Sequence, residues 1–185
     1  MTRRVIVGIT GASGAIYGIR LLEVLKTAGV ETHLIISKAG AMTIGIETGY
    51  SMDAVTAMAS VTHAVDNPAA SVASGSFLTD GMIIAPCTVK TLSGIANSFT
   101  DNLMIRAADV CLKEKRKLLL MVRETPLHEG HLQLMTRASR MGAQIMPPVP
   151  AFYHRPSSLD DIVNQTVGKA LDYFGIDHSL FERWH

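Results

Sequence analysis

The chain contains only two cysteines, Cys87 and Cys111, among its 185 residues. Two thiols at this spacing build neither a disulfide framework nor a cysteine-based metal site. The opening residues, Met1-Thr-Arg-Arg4, lead directly into an apolar run and lack the pattern of a cleavable signal. We therefore expect the protein to work in a reducing cytoplasm.

Charge is also scarce in this sequence. Charged residues make up 18% of the chain, hydrophobic residues make up 48%, and the formal net charge is +1. This balance argues against nucleic-acid binding, and no window reaches the 18 or more apolar residues of a membrane-spanning helix. So few charges predict a homo-oligomer that buries part of its surface, although a well-filled core is the alternative. The length predicts one domain over residues 1–185.

A strand, a tight turn and a helix open the chain. The strand is predicted over Arg4–Thr10, the turn over Gly11–Gly14 and the helix over Ala15–Ala28. Such a loop gathers backbone N–H groups and the positive end of a helix dipole, which together bind a phosphate. The glycine spacing matches neither the dinucleotide motif nor the nucleoside-triphosphate motif. It indicates a mononucleotide site, with the Ser13 hydroxyl at the same place; a tight corner that binds nothing is the alternative.

The same order of elements recurs along the chain. Further strands are predicted over 32–37, 81–86, 118–122 and 144–146, with a short helix and a weak strand within 51–66. Helices are predicted over 38–47, 101–114, 128–141 and from Ser157 or Ser158 to Phe174. Five βα units in a row predict an α/β fold with a doubly wound, mostly parallel sheet in three layers, of Rossmann or flavodoxin type.

Polar residues follow these strands at the sheet edge where ligands bind in parallel sheets. Ser37 ends the second strand, and Cys87–Thr91 leads from the third strand into a helix predicted to begin near Leu92. Arg123 and Glu124 follow the fourth strand. A half-buried Arg–Glu pair at this edge costs more free energy than a pair on an exposed helix face. This cost favours a functional role for the two residues over a purely structural one.

Four other segments leave their roles less defined. The small-residue stretch 68–77 is either a loop beside a flat ligand or a flexible connector. The run Lys113–Lys117 is typical of a solvated helix end. His128 and His131 lack the spacing and the additional ligands of a metal site, so we expect surface or capping histidines. Prolines within 147–156 hold a rigid path that fixes three side chains, Tyr153, His154 and Arg155.

Nine short motifs, in this order, connect the sequence to a known family. They are Thr10-Gly-Ala-Ser-Gly-Ala15, Ile36-Ser-Lys38, Glu47-Thr48, Ala85-Pro-Cys87, Arg106-Ala-Ala-Asp109, Leu112-Lys-Glu114, Arg123-Glu-Thr-Pro126, Pro150-Ala-Phe-Tyr-His154 and Arg183-Trp184. Together they resemble the UbiX-type flavin prenyltransferases, which include the Pad proteins once regarded as aromatic-acid decarboxylases. The resemblance extends over essentially the whole chain.

The resemblance implies a metal-independent transferase that joins reduced FMN to dimethylallyl monophosphate. The prenyl group bonds to N5 and C6 of the flavin and closes a fourth ring. The product, prenylated FMN, is the cofactor of a UbiD-type decarboxylase. Members of this family are usually homo-oligomers, commonly dodecamers with sites at subunit contacts.

The resemblance also assigns residues to each half of the site. Flavin binding falls to Gly11, Ala12, Ser13, Ser37, Thr88, Val89, Lys90, Thr91 and Arg123. Prenyl-phosphate binding falls to Arg106, Lys113, Arg123, Glu124, Tyr153 and Lys169. The candidate catalytic residues are Ser13 and Glu47 for proton handling, Glu124 beside the leaving phosphate, and Trp184, which with Tyr153 offers a π-face to the developing allyl cation.

Two departures from the family pattern affect substrate binding. Lys169 stands where the family often has Arg, so a point charge replaces a bidentate grip on phosphate. The loop 66–77 contains no tryptophan, whereas some relatives place one near the prenyl site. Two alternative functions are a flavin-dependent carboxylic-acid decarboxylase and a non-catalytic FMN-binding subunit of a decarboxylase complex. The first relies on a histidine after the first helix, whereas His33 lies within a predicted strand.

Overall fold

A six-stranded parallel sheet forms the centre of the molecule, as seen in a computed structural model that describes residues 3–183. The strands are β1 (Arg4–Ile9), β2 (Glu31–Ile36), β3 (Val61–His63), β4 (Gly81–Cys87), β5 (Lys117–Val122) and β6 (Ala143–Ile145). Their order in the sheet is β3-β2-β1-β4-β5-β6, and every neighbouring pair is parallel. The order reverses between β1 and β4, and ligands bind at such a point in open α/β sheets.

Seven α-helices lie between or after the strands within the described part of the chain. They are α1 (Ala15–Thr27), α2 (Lys38–Glu47), α3 (Met52–Thr56), α4 (Val89–Ala96), α5 (Leu103–Lys113), α6 (Glu129–Arg140) and α7 (Leu159–Phe174). A short 3₁₀ turn lies at Ser71–Ala73, within the small-residue stretch. The α/β fold with a doubly wound parallel sheet is therefore confirmed. No helix within residues 3–183 is long and apolar enough to cross a membrane.

Two hydrophobic cores lie on opposite faces of the sheet. Val5, Val7 and Ile9 of β1 face a core shared with α1 and α7, whereas Ile6 faces a core shared with α4, α5 and α6. Side chains alternate between the faces of a strand, so β1 is apolar on both sides and its sequence is a nearly continuous apolar run. The cores leave only the two ends of the strands for polar chemistry.

Side-chain caps determine where several helices begin. The Ser158 hydroxyl accepts a hydrogen bond from the Asp161 amide and so settles the choice between Ser157 and Ser158. The prediction that α4 begins near Leu92 is wrong, since the helix begins at Val89. The Thr88 hydroxyl accepts from the Thr91 amide at 3.1 Å, which starts the helix three residues earlier.

Candidate active site

The first loop is shaped by its glycines. Gly14 precedes α1 in a left-handed conformation with φ of 102°, which favours glycine over any residue with a Cβ. A Cβ at Gly11 would overlap the side chain of Ala39 at the start of α2. The loop, with Ala12 and the exposed Ser13 between these glycines, therefore lies directly against the first turn of α2.

Thr10 joins this loop to the end of β4. Its buried hydroxyl donates to the Pro86 carbonyl at 2.7 Å and accepts from the Thr88 amide at 2.9 Å. The first loop and the turn before α4 are thus one hydrogen-bonded unit. The N-termini of α1, α2 and α4 converge on this edge of the sheet, which favours an anion there.

The hydroxyls that cap α2 and α4 already form hydrogen bonds within the protein. Ser37 accepts from the Gly40 amide at 2.9 Å, and Thr88 donates to the Thr91 hydroxyl at 3.0 Å. The predicted flavin ligands Val89 and Lys90 lie in the first turn of α4 and also line a groove shared with His128 and His131. His128 caps α6 by accepting from the Gly130 amide at 3.0 Å, as expected for a capping histidine.

Glu47 caps the N-terminus of α1, although it lies far from that helix in sequence. Its carboxylate accepts the amides of Gly14 at 2.8 Å and Ala15 at 3.2 Å, where Gly14 itself offers no side-chain cap. Desolvation raises the pKa of Glu47. Hydrogen bonds from the Ser13 hydroxyl and the two amides, together with the positive charge of Arg123, outweigh this effect, so the pKa lies below its ordinary value. Glu47 is consequently a carboxylate at neutral pH.

A cavity of about 380 Å³ brings Ser13, Glu47 and Arg123 together. Its other lining residues are Gly14, Ile16, Tyr17, Thr48, Pro148, Leu159, Ile162 and Val163. Burial raises the pKa of Tyr17, so its phenol stays neutral and can donate a hydrogen bond. The cavity combines one apolar wall from α7 with a carboxylate, a guanidinium and three hydroxyl groups, a combination suited to a polar, partly aromatic ligand.

Arg123 and Glu124 do not form the ion pair that their sequence positions suggest. Glu124 accepts the neighbouring Thr125 amide at 3.0 Å, and both side chains are exposed. Within residues 3–183, Arg123 takes part in no ion pair. Its charge is therefore open to a ligand, and the two side chains are exposed at this edge and not half buried.

The remaining predicted phosphate ligands lie outside this cavity. On α5, Arg106 donates to the Ala73 carbonyl at 3.1 Å and pairs with Asp109 at 3.2 Å, while Lys113 pairs with Glu114. The Tyr153 hydroxyl lies 3.4 Å from the Gln165 amide nitrogen of α7.

Most of the predicted catalytic and prenyl-phosphate residues therefore fall into three separate places. Lys169 is exposed on α7, four residues after Gln165. Ser13, Glu47 and Arg123 share the cavity, Arg106 and Lys113 lie on α5, and Tyr153 and Lys169 lie on or beside α7. Trp184 falls outside the described residues.

Sequence reasoning did not single out Tyr17 and Thr48 among the cavity residues. Tyr17 lies three residues after Gly14, on the first turn of α1, so its place near the loop was available from helical spacing. Thr48 directly follows Glu47 and lies at the C-terminal end of α2. The contributions of α7 had no local signal, since they depend on how that helix crosses α1.

Comparison with known proteins agrees with this geometry. The family model named Flavoprotein matches residues 1–171. The fold and the cavity at the sheet's switch point thus define an α/β flavoprotein.

More specific relatives narrow the class. Flavin prenyltransferase UbiX of Escherichia coli is 60% identical over 98% of this chain and 98% of its own length. The crystal structure of AnUbiX in complex with FMN and dimethylallyl pyrophosphate superposes with a TM-score of 0.99 at 49% identity, covering 100% of this chain and 98% of that one. A dodecameric FMN-dependent UbiX-like decarboxylase from Escherichia coli gives a TM-score of 0.96 at 50% identity, over 98% and 99% of the two chains. This chain belongs to the UbiX flavin prenyltransferase family.

Proposed function

We propose that this protein is a flavin prenyltransferase. It transfers the dimethylallyl group of dimethylallyl monophosphate to N5 and C6 of reduced FMN and releases phosphate and prenylated FMN. The observation that carries the proposal is the cavity that joins Ser13, Glu47 and Arg123 in a chain 60% identical to UbiX enzymes.

The flavin half of the site consists of the three converging loops. The residues there fit a flavin mononucleotide, because the glycine loop lies too close to α2 for any side chain at Gly11 and offers backbone donors instead. Gly11, Ala12, Ser13, Ser37, the turn Thr88–Thr91 and Arg123 would hold it. Reduced FMN supplies the nucleophilic ring atoms, and the protein supplies orientation and charge.

Glu47 and Ser13 are the candidates for handling protons beside the flavin. The lowered pKa of Glu47 favours the ionised form, so this residue accepts a proton and does not donate one at neutral pH. Its two backbone hydrogen bonds hold the carboxylate at a fixed position. Ser13 is exposed next to it, and its hydroxyl binds the Glu47 carboxylate, so the two candidate groups act from one place.

The prenyl-phosphate half of the site needs several cations, and within one subunit the candidate cations lie apart from one another. Departure of phosphate from an allylic carbon needs charge neutralisation at the leaving oxygen atoms. Arg123 and Glu124 lie at the sheet edge, whereas Arg106 and Lys113 on α5, Lys169 on α7 and Tyr153 beside α7 do not line the cavity. A homo-oligomer that brings α5 and α7 of neighbouring subunits to the cavity would complete the phosphate pocket, and we propose a dodecamer by analogy with the UbiX-like relative.

The same proposal extends to the protein's setting. Prenylated FMN would pass to a UbiD-type decarboxylase, and residues 1–185 would act as one flavoprotein domain. A reducing cytoplasm is supported by the two thiols, which are buried and unpaired, and burial raises the pKa of each to about 12. Such thiols are poor nucleophiles and take no part in the proposed reaction.

The experiment that tests the function is an anaerobic incubation of the protein with reduced FMN and dimethylallyl monophosphate. Absorbance and mass spectra of the flavin, together with released phosphate, are recorded over time. A new flavin heavier by one dimethylallyl unit, formed in step with phosphate, is expected. A parallel reaction with an aromatic carboxylic acid and no prenyl phosphate measures carbon dioxide.

The outcomes separate the three functions. Carbon dioxide released by this protein alone would favour a flavin-dependent decarboxylase. Tight FMN binding with neither product would favour a non-catalytic FMN-binding subunit. Heat-inactivated protein is the matched control for uncatalysed alkylation.

A further inference from the structure

The chain turns back on α7 after that helix ends. Gly175 adopts a left-handed conformation with φ of 67°, and the Ile176 amide donates to the Leu171 carbonyl at 3.0 Å. Residues 177–183, here called the C-terminal strap, then run along the surface of α7. The strap contains no regular secondary structure, so other contacts must hold it.

One carboxylate anchors both ends of the strap. His178 Nε2 lies 3.1 Å from Asp172 Oδ1, and Arg183 donates to both carboxylate oxygen atoms at 2.7 and 3.0 Å. The Leu180 amide donates to His178 Nδ1 at 3.2 Å, so the neutral histidine carries its proton on Nε2 and donates it to Asp172. The bidentate Arg183 pair is the stronger geometry for an arginine–carboxylate contact.

The strap also packs tightly on the helix. The His178 ring is almost fully buried, and its centroid lies 5.3 Å from that of Phe181. A Cβ at Gly168 would come within about 2.6 Å of both rings, so a glycine at this position lets the strap lie flat on α7. The strap is therefore held by shape as well as by charge.

The anchor lies on the helix stripe that carries the proposed prenyl-phosphate ligands. Gln165, Lys169 and Asp172 follow one another at positions i, i+4 and i+7, which share one face of a helix. Gln165 contacts the Tyr153 hydroxyl at one end of the stripe, and Asp172 holds the strap at the other end. Lys169 lies between them.

The ion pair of Asp172 also determines whether Lys169 is paired. Asp172 is three residues from Lys169, close enough for an ion pair on a helix surface. Arg183 occupies both oxygen atoms of Asp172 instead, and Lys169 makes no ion pair with any of residues 3–183. The ammonium group of Lys169 is thus left available for an anion.

We propose that Asp172 is a positioning residue for the prenyl-phosphate half of the site: by binding His178 and Arg183 it fixes the strap along α7 and leaves Lys169 free for phosphate. The proposal rests on the proposed function for its catalytic consequence. The placement of the strap does not depend on that function and is tested separately.

The first test uses the tryptophan that follows the strap. Trp184 is the only tryptophan of the chain and is bonded directly to Arg183, so its fluorescence reports on the end of the strap. In ligand-free protein, Asp172→Asn is expected to raise the acrylamide quenching constant of Trp184 by about twofold or more, since a neutral amide loses the bidentate grip. Asp160→Asn, which removes an exposed carboxylate paired with Arg20 in the first turn of the same helix, is the matched control and should leave quenching unchanged.

The second test measures catalysis with the same variants. Asp172→Asn should raise the KM for dimethylallyl monophosphate by about tenfold and leave the dissociation constant of FMN unchanged, because misplacement affects one half of the site. Asp172→Glu should restore part of the loss, and Arg183→Lys should reproduce it without changing Asp172.

The two tests separate the placement of the strap from its effect on catalysis. Wild-type quenching in both Asp172→Asn and Arg183→Lys would overturn the proposal, whatever their activities. Equal weakening of FMN and prenyl phosphate would also overturn it, because it would indicate general destabilisation. If the wild-type protein makes no prenylated flavin, the proposed function fails while the quenching result still stands.

Discussion

Charged side chains lie at both ends of the parallel strands, but their partners differ. At the amino ends, Arg4 binds the Glu31 carboxylate with two hydrogen bonds of 2.7 and 2.9 Å, and His33 binds the same carboxylate at 2.9 Å. His33 in turn lies 2.9 Å from His63. This chain of contacts joins β1, β2 and β3, and Phe77 closes it, with Arg4 above its ring and His33 at its edge.

At the carboxyl ends, the charges are held by backbone groups or left open. Glu47 binds two backbone amides, and Arg123 is exposed without an ion pair within residues 3–183. Polar groups satisfied by one another stabilise a fold, whereas fixed charges without an ion-pair partner are available to a ligand. The comparison assigns stability to the amino ends and chemistry to the carboxyl ends.

The largest effect is expected from Glu47→Gln at the carboxyl ends. Glutamine keeps an oxygen that accepts the Gly14 and Ala15 amides but cannot take up a proton, so FMN binding should persist while kcat falls about 100-fold. Single-turnover formation of prenylated FMN and equilibrium titration with FMN measure the two quantities. Unchanged turnover would remove the catalytic role of Glu47.

Replacement of Tyr153 by Phe should have a smaller effect, confined to the second substrate. If its hydroxyl binds phosphate as proposed, its loss should raise the KM for dimethylallyl monophosphate by about tenfold and leave FMN affinity as in the wild type. Initial rates at varied prenyl phosphate give the KM. Equal losses for both ligands would show that Tyr153 has been assigned to the wrong half of the site.

Much of this architecture follows from local sequence, and the exceptions have physical causes. The first strand, loop and helix follow from an apolar run and the glycines before Ala15, and a serine cap for α7 is predicted at Ser157 or Ser158. The start of α4 was missed because Thr88 caps the helix before any apolar periodicity begins. The sequence therefore predicts elements better than their exact ends.

The candidate site divides in the same way. Ser13, Ser37 and Arg123 follow strands, and parallel strands bring such positions to one edge. The capping of α1 by Glu47 spans more than thirty residues and has no local signal. The roles of Lys113 and Lys169 follow only from the family resemblance, because within one chain these residues lie on different helices and neither lines the cavity.

At the amino ends, Glu31→Gln should lower stability and spare catalysis. The ion pair with Arg4 and the hydrogen bond to His33 hold the pKa of Glu31 near 2, below its ordinary value of 4.5. Removal of this charge should lower Tm at neutral pH by about 2–5 °C, with kcat and KM unchanged. Thermal unfolding followed by circular dichroism gives the Tm.

The same variant has a defined pH dependence. A depressed carboxyl pKa contributes stability above about pH 4.5, and this contribution is lost as the pH falls toward about 2. The difference between wild type and Glu31→Gln should therefore shrink across that window. A constant difference would mean that the ionised carboxylate does not stabilise the fold.

The smallest effect is expected from His63→Gln. Burial and, secondarily, the charge of His33 lower the pKa of His63 below its ordinary value of 6.5. Below about pH 6.5 this histidine binds a proton more readily in the unfolded chain than in the folded one, so wild-type stability falls as the pH drops. Glutamine, which can still bind His33, should reduce by about 1–2 °C the change in Tm between about pH 7 and about pH 5.5. An identical change in both proteins would contradict this assignment.

One measurement compares the two ends of the sheet directly. Equal amounts of folded wild type, Glu31→Gln and Glu47→Gln are incubated anaerobically with reduced FMN and dimethylallyl monophosphate, and the released flavin is weighed by mass spectrometry. We expect flavin heavier by one dimethylallyl unit from wild type and Glu31→Gln at matching rates, and little or none from Glu47→Gln. Unmodified flavin from the wild type, or equal loss in both variants, would contradict it.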